Sequence, residues 1–392
     1  MIAGLGVLSY TLYSGFRASV FTDFGQLMAM MAIAVVIIPA VLFSMGGPSV
    51  MVANLSNLTS EQASLFSGQA FLHQGAPYFV AVLAYAIGNQ TISQRLFAVD
   101  ESHIKPTFIT ATVSYGAIVI GLGMIGLMAL TMGVQPLDGN MNNLIPQMVS
   151  SYLPPFFIGL FFILVIGSLS STADSDLSAL SAIMMADVYG KNIARNRTDP
   201  RKMLIIGRMT MIIATVLGMV LASLAFDILV MLVFVGALWG AIVFPVIASC
   251  FWDRVTNAAF PWAVVVALLV FSVVRFELLP MTGLLAISME LMASVGAGVV
   301  AGLMVFGFLG KRLDMLAFFI ATVVIGWLGL GSLREFTVLL SSLTAYGVST
   351  LVCVAISLAS HQRFDFDTIQ QRVGDYNKPD YEQPPKTTVT AH

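Results

Sequence analysis

The strongest constraint on this chain is a succession of apolar runs, each about as long as a membrane-spanning helix and separated by short polar breaks. They cover 24–46, 77–97, 107–134, 155–188, 203–224, 227–251, 258–278, 285–309, 315–332 and 335–359. Each supplies the roughly 17–25 residues a helix needs to cross a hydrocarbon core of about 30 Å. A shorter run, 1–13, opens the chain. Only 10% of the 392 residues are charged, against about 25% in an ordinary soluble domain. So few charges cannot coat a soluble globule of this length, which excludes a soluble enzyme. With 18 Lys and Arg against 20 Asp and Glu, there is no basic surplus for a nucleic-acid surface. The expected fold is all-α: a polytopic transmembrane helix bundle of about ten full spans plus one partial, with the lipid bilayer as solvent.

The distribution of positive charge sets an expected orientation. If the loop at 189–202 is cytoplasmic, strict alternation of spans leaves only Arg275 and Arg334 of the 18 Lys and Arg on the other side. The tail from 361 to 392 then lies in the cytoplasm. Its charge and proline content read as disorder. The polar segments 47–76 and 135–154 are external and long enough for short interfacial helices. Cys250 and Cys353 both sit inside apolar runs, with no disulfide or zinc spacing.

Polar groups inside the spans are the pointers to function, because a carboxylate at mid-bilayer costs about 2.5–3.5 kcal/mol on insertion scales. The densest group is Gly167–Ser181. Ser168, Ser171, Thr172 and Ser175 fall at i, i+3, i+4 and i+7, one face of a helix, with Asp174 among them. Hydroxyls, a carboxylate and freed carbonyls are the hard oxygen donors that Na+ takes. Small hydroxyl residues also serve close helix packing, and both readings stand at this point. Asp176 points elsewhere on the helix, and Asp187 is placed to pair with Lys191. A second group, Tyr85–Arg95, contains Gly88, Asn89 and Gln90. That run invites local unwinding within a span, or marks a helix end. In the third group, Gly15–Gln26, Asp23 is positioned to cap a helix beginning at Phe24. Gly121-x-Gly-x-x-Gly126 lies inside an apolar run, so a dinucleotide loop is excluded. Gly298-x-x-x-Gly302 suits a close helix contact. No nucleophile–base pair or metal-hydrolase motif occurs in the spans, and no enzyme activity is expected.

Together these groups resemble the sodium:solute symporter family. Tyr13–Gln26 is similar to that family's Gly-Gly-x-x-Ala-Val-x-x-Thr-Asp-x-x-Gln segment, with Ser14 at its first Gly. Asn89-Gln-x-x-x-Gln-Arg95 and Ser170-Ser-Thr-Ala-Asp-Ser175, continued to Asp187-Val-Tyr189, resemble two further family runs, and Phe251-Trp-Asp-Arg254 a fourth. The resemblance implies a leucine-transporter-type inverted five-plus-five repeat lacking its first helices. Residues 1–255 would be a partial symporter core, 256–360 additional C-terminal transmembrane helices, and 361–392 the tail. It further implies a main sodium site at Ser171 and Thr172 with the carbonyl of Ser168. A second cation site falls at Asp23, Asp174 and Ser175, with Ser171 alongside. Tyr85 matches an inner gate aromatic, and Gly88, Asn89 and Gln90 accompany it at the substrate. Val82 and Gly116 stand where sugar-carrying members have Asn and Lys, which disfavours a sugar. The expected function is Na+-coupled symport of a small polar organic solute by alternating access. Na+ is the coupling ion, without an organic cofactor, in a bacterial inner membrane. The alternatives are an inactive fragment of such a transporter or a membrane-embedded sensor with the same fold.

Overall fold

The computed structural model describes residues 2–60, 62, 64, 66–195, 199–224, 228–309 and 313–367. The helices begin with α1 (Ile2–Ser44), α2 (Gly47–Ala53), α3 (Gly68–Ala70), α4 (Ala76–Gly88) and α5 (Gln90–Phe97). They continue with α6 (Glu101–Thr131), α7 (Leu144–Tyr152), α8 (Pro155–Ile183), α9 (Pro200–Ser223) and α10 (Ile228–Phe251). The series closes with α11 (Ala259–Arg275), α12 (Gly283–Leu309), α13 (Asp314–Gly329) and α14 (Thr337–Ala359). Every regular element among the described residues is helical. Eight stretches are long and apolar enough to cross a membrane, and α11 and α13 are shorter apolar helices. The all-helical polytopic bundle expected from the apolar runs is therefore present. The tail beyond residue 367 lies outside the described residues.

α1 runs from Ile2 to Ser44, but the neighbours of its two ends require the chain to double back within it. Gly4 lies against Thr215 and Met219 of α9, while the Leu12 carbonyl accepts from Arg208 Nε near the start of α9. The first arm is thus antiparallel to α9. Beyond Ser19 the order inverts. Ser19 meets Asp174, Asp23 meets Ser171, and Met30 lies beside Gly167, so the second arm is antiparallel to α8. Because α8 is itself antiparallel to α9, with Ser181 and Met185 beside Gly207, the two arms oppose each other. The reversal falls between Leu12 and Ser19, and it separates the short run at 1–13 from the long one after it. One expectation is corrected. Asp23 does not cap a helix starting at Phe24, because the backbone is already helical from Ser19 and the Thr22 hydroxyl bonds back to the Ser19 carbonyl.

The span expected at 77–97 is broken at Asn89, whose φ of -81 and ψ of 121 are extended. Gly88 ends α4, and the Asn89 side chain caps α5 by accepting from Thr91 N at 2.8 Å. Pro77 lies inside the continuous helical stretch Gly68–Gly88. Having no N–H to give, it follows a π-helical turn, Phe71–Gly75, that absorbs the misfit. The polar segments 47–76 and 135–154 carry short helices as expected: α2 and the 3-10 turn Leu55–Asn57 in the first, α7 in the second.

The described chain divides into two compact units. Met1–Ser67 with Asn89–Met231 forms one, and Gly68–Gly88 with Leu232–His392 the other. In the first, α1, α6 and α7 close a core of Ile37, Val41, Ile125, Met128 and Val149, and Val7, Leu177 and Met211 form a second core. In the second unit, the first two thirds of α14 are enclosed. Leu339–Thr350 is buried without interruption, including Ser341, Ser342, Thr344 and Ser349. No water reaches these hydroxyls, so each finds a backbone carbonyl. Ser342 donates to Val338, Thr344 to Leu340, and Ser349 across to Ala241 of α10 at 2.5 Å. The Tyr346 hydroxyl donates to the Val80 carbonyl of α4 at 2.9 Å.

Close packing around α14 depends on absent side chains. A Cβ on Gly296 of α12 would stand 1.9 Å from the Leu343 carbonyl oxygen, and one on Gly347 would stand 1.9 Å from that of Met292. Backbone cannot yield as a flexible side chain can. Gly298 and Gly302 similarly face Phe318 of α13, the close contact expected of that pair. In the third turn of α12 the carboxylate of Glu290, 1% exposed, holds Arg334 in a fork and accepts from Gly331 N. Those bonds push the Arg334 guanidinium above its ordinary value. Gly347→Ala is expected to destabilise the protein by about 1–3 kcal/mol, as overpacking does, while Gly116→Ala, facing open space, is neutral or stabilising. Thermal unfolding of purified protein in detergent measures both.

Candidate functional site

The site is built in the first unit, where the second arm of α1, α8 and α5 meet. On α1, Ser19, Thr22, Asp23 and Gln26 are spaced i, i+3, i+4 and i+7, so they share one face. α8 presents Ser171, Asp174 and Ser175 to it, and α5 contributes Arg95. The Arg95 guanidinium pairs with the Asp23 carboxylate and donates to Ser175 Oγ at 2.6 Å. Ser171 donates to the other oxygen of Asp23. Ser175 itself bonds back to the Ser171 carbonyl at 2.7 Å.

Asp174 is fully buried, and its partners among the described residues are all neutral hydroxyls. Tyr10 donates to it at 2.6 Å, Ser19 at 2.9 Å, Thr22 at 3.0 Å and Ser175 at 3.2 Å. The Tyr10 and Thr22 bonds go to the same oxygen. Twelve residues of straight helix rise about 18 Å, too far for both to reach it, so the reversal in α1 is what brings them together. Hydroxyl dipoles solvate a carboxylate but do not cancel its charge. With both carboxyls ionised, the cluster sets two carboxylates against one guanidinium, one charge more than the guanidinium cancels, in a medium where charge is costly.

The residues also suit a hard monovalent cation. Ser19 and Ser171 use their protons on the carboxylates, while Thr22 and Ser175 divide theirs between Asp174 and a helix carbonyl; lone pairs remain free on these hydroxyls, since a hydroxyl donates once and accepts twice. Gln26 Oε1 is buried with no hydrogen-bond partner, an oxygen still lacking a donor or a cation.

The structure joins some of the residues singled out in the sequence and not others. Asp23, Asp174, Ser175 and Ser171 converge as one network. Ser168 and Thr172 do not enter it. Thr172 bonds back to the Ser168 carbonyl at 3.2 Å on an exposed stretch of α8. Tyr85 and Gly88 belong to the second unit and pack on Trp239, the Tyr85 ring meeting it edge-on at 4.6 Å. Asn89 is buried as a helix cap, while Gln90 is exposed. Asp187 forms its expected ion pair with Lys191 at 2.6 Å. Tyr10, Ser19 and Thr22 were not singled out. The polar stripe through Ser19, Thr22, Asp23 and Gln26 carried the signal for two of them, whereas Tyr10 reaches the site only through the reversal.

Residues 1–267 match the model of the sodium:solute symporter family. This chain belongs to that family. It is 26% identical over 265 residues to the sodium/pantothenate symporter of Escherichia coli K12, covering 65% of this chain and 53% of that protein. It is likewise 26% identical over 265 residues to the high-affinity proline transporter PutP of Bacillus subtilis 168, covering 64% and 54%. The sodium/sialic acid symporter NanT of Aliivibrio fischeri is 25% identical over 235 residues, covering 57% and 46%. The chain spans about half the length of the curated relatives it matches. Membership implies Na+ as the coupling ion, and the apolar helices make this symporter-family chain an integral membrane protein.

The Asp23–Arg95 pair should show coupling in a double-mutant cycle. Arg95→Gln strands a carboxylate and should destabilise more than the Asp23→Asn/Arg95→Gln double variant. The expected coupling is about 1–2 kcal/mol, below the 3–5 of fully buried pairs because 37% of the Arg95 side chain is exposed. Thermal unfolding without Na+ gives the cycle; simple additivity of the two variants would leave the pair without energetic weight.

Proposed function

We propose that the protein takes part in Na+-coupled symport of a small polar organic solute, with the Asp23–Asp174–Ser175 cluster, extended by Ser171, as a cation site. One observation carries this reading: Asp174 is buried at 0% exposure and surrounded by hydroxyls, with no cationic side chain bonded to it. A Na+ entering there would take lone pairs from Ser19, Ser175 and Thr22 while their protons remain on carboxylate or helix-carbonyl oxygens, and it would cancel the surplus charge. Arg95 already occupies Asp23, so the two carboxylates divide the work. Asp23 orders the hydroxyls of α8 through Ser171, and Asp174 supplies the charge.

Ser171, Thr172 and the Ser168 carbonyl remain the proposed main sodium site by family resemblance. Their exposed side of α8 leaves room for further ligands. The break at Asn89 and the Tyr85–Trp239 contact support a substrate and gate role for Tyr85, Gly88, Asn89 and Gln90, because an extended peptide inside a span frees backbone groups. The match over 1–267 supports reading 1–255 as symporter core and 256–360 as added helices. The charge distribution supports a cytoplasmic tail in a bacterial inner membrane.

The test is binding of 22Na+ to the purified chain, together with uptake of labelled proline, pantothenate, sialic acid and urea into proteoliposomes with and without Na+. Ser171→Ala and Thr172→Ala are each expected to raise the half-saturating Na+ concentration by more than about tenfold, 1.4 kcal/mol. Unchanged Na+ affinity in both would overturn the main-site assignment. Asp174→Asn should change cation stoichiometry or its pH dependence. If binding and coupling stay identical in that variant, Asp174 is a packing residue.

A further inference from the structure

The face of α8 turned away from the cation cluster holds a second carboxylate that the symport reading does not use. Asp176 follows Asp174 by two residues, about 200° around the helix, so the two project to opposite sides. It makes no hydrogen bond or ion pair with any described residue. Exposed itself, and within electrostatic reach of Arg95, it lines an open cavity of about 670 Å³ between the first arm of α1, α8 and α9. Val7, Leu177, Ala214 and Met219 make the walls apolar. Ser170 contributes a second polar group without a partner, and Thr215 a hydroxyl whose proton is held by the Met211 carbonyl. A cavity of this size, largely apolar with a few converging polar groups, has the build of a small-molecule site.

The polar groups define the occupant. One anion, with hydroxyl oxygens able to accept, calls for a cation that donates several hydrogen bonds. The walls call for an apolar body attached to it. A primary ammonium on a hydrocarbon or aromatic group meets both demands, whereas Na+ would leave the walls unfilled. Depth excludes a lipid headgroup. Leu177, one residue from Asp176, packs with Met211, about midway along α9 and so roughly 16–18 Å from either helix end. Headgroups stay near the interface, while a free amine can enter.

We infer that the Asp176 cavity binds a small amphiphilic organic ammonium, at a site distinct from the cation cluster and independent of the symport reading. The probe pair is 4-phenylbutylamine and its neutral isostere 4-phenylbutanol, each radiolabelled. Equilibrium binding is measured on the full chain in nanodiscs, against empty nanodiscs, with and without saturating Na+. The amine should bind saturably and about tenfold more tightly than the alcohol, in both Na+ conditions. Asp176→Asn should abolish that preference. A Cβ on Gly218 meets nothing within 4 Å, so Gly218→Phe can fill the cavity without displacing backbone and should remove saturable binding of both probes. Equal affinity for amine and alcohol would overturn the proposal. So would a preference that survives Asp176→Asn in a monodisperse protein, saturable binding that survives Gly218→Phe, or competition by Na+.

Discussion

Lipid offers no hydrogen bonds and little solvation, and that single constraint accounts for most of what is specific in this structure. Wherever a polar group enters a span, the protein must supply its surroundings. On α14 the supply is local, with hydroxyls folded back onto carbonyls one turn earlier or onto a neighbouring helix. Around Asp174 it is collective, drawing on both arms of α1 and on α8. The difference is one of charge: a hydroxyl is satisfied by one acceptor, whereas a carboxylate takes several donors and remains an anion.

The reversal within α1 is the step that makes the collective solution possible. A straight helix would place Tyr10 and Thr22 too far apart to share an oxygen of Asp174. Folding the chain back also lays Gly4 and Leu12 along α9, so the first arm serves at once as packing for α9 and as a donor to the site. Membership in the sodium:solute symporter family gives the arrangement its functional setting. The excess of carboxylate over guanidinium is the physical ground on which the cation site is proposed there.

Much of this was legible from residue order, for identifiable reasons. Apolar runs and their polar breaks located the helices, because bilayer thickness fixes their length. The Gly88-Asn89 break was readable because glycine and a capping amide meet there. Asp23, Ser171, Asp174 and Ser175 were found through helical spacing and family resemblance. Tyr10 was not, since its place depends on a reversal that periodicity does not encode. The alternative reading of Asp23 as a cap fails because cap chemistry is local, while its partners Arg95 and Ser171 are distant in the chain. Ser168 and Thr172 share the stripe of Ser171 and yet lie outside the network, since a stripe gives a face and not the neighbour it meets.

The enclosure of α14 also bears on how the second unit is assembled. α4, α10, α11 and α12 all precede α14 in the chain and all pack against it, α10 and α12 with glycines, Gly240 and Gly296, that leave no room for a Cβ. As the chain emerges from a ribosome, those helices enter the membrane with their mutual interface unfilled. Val80 and Ala241 wait for Tyr346 and Ser349, which arrive later. Closure of that unit is therefore a late event in biogenesis, and the order of synthesis leaves an open groove in the bilayer until α14 has been inserted.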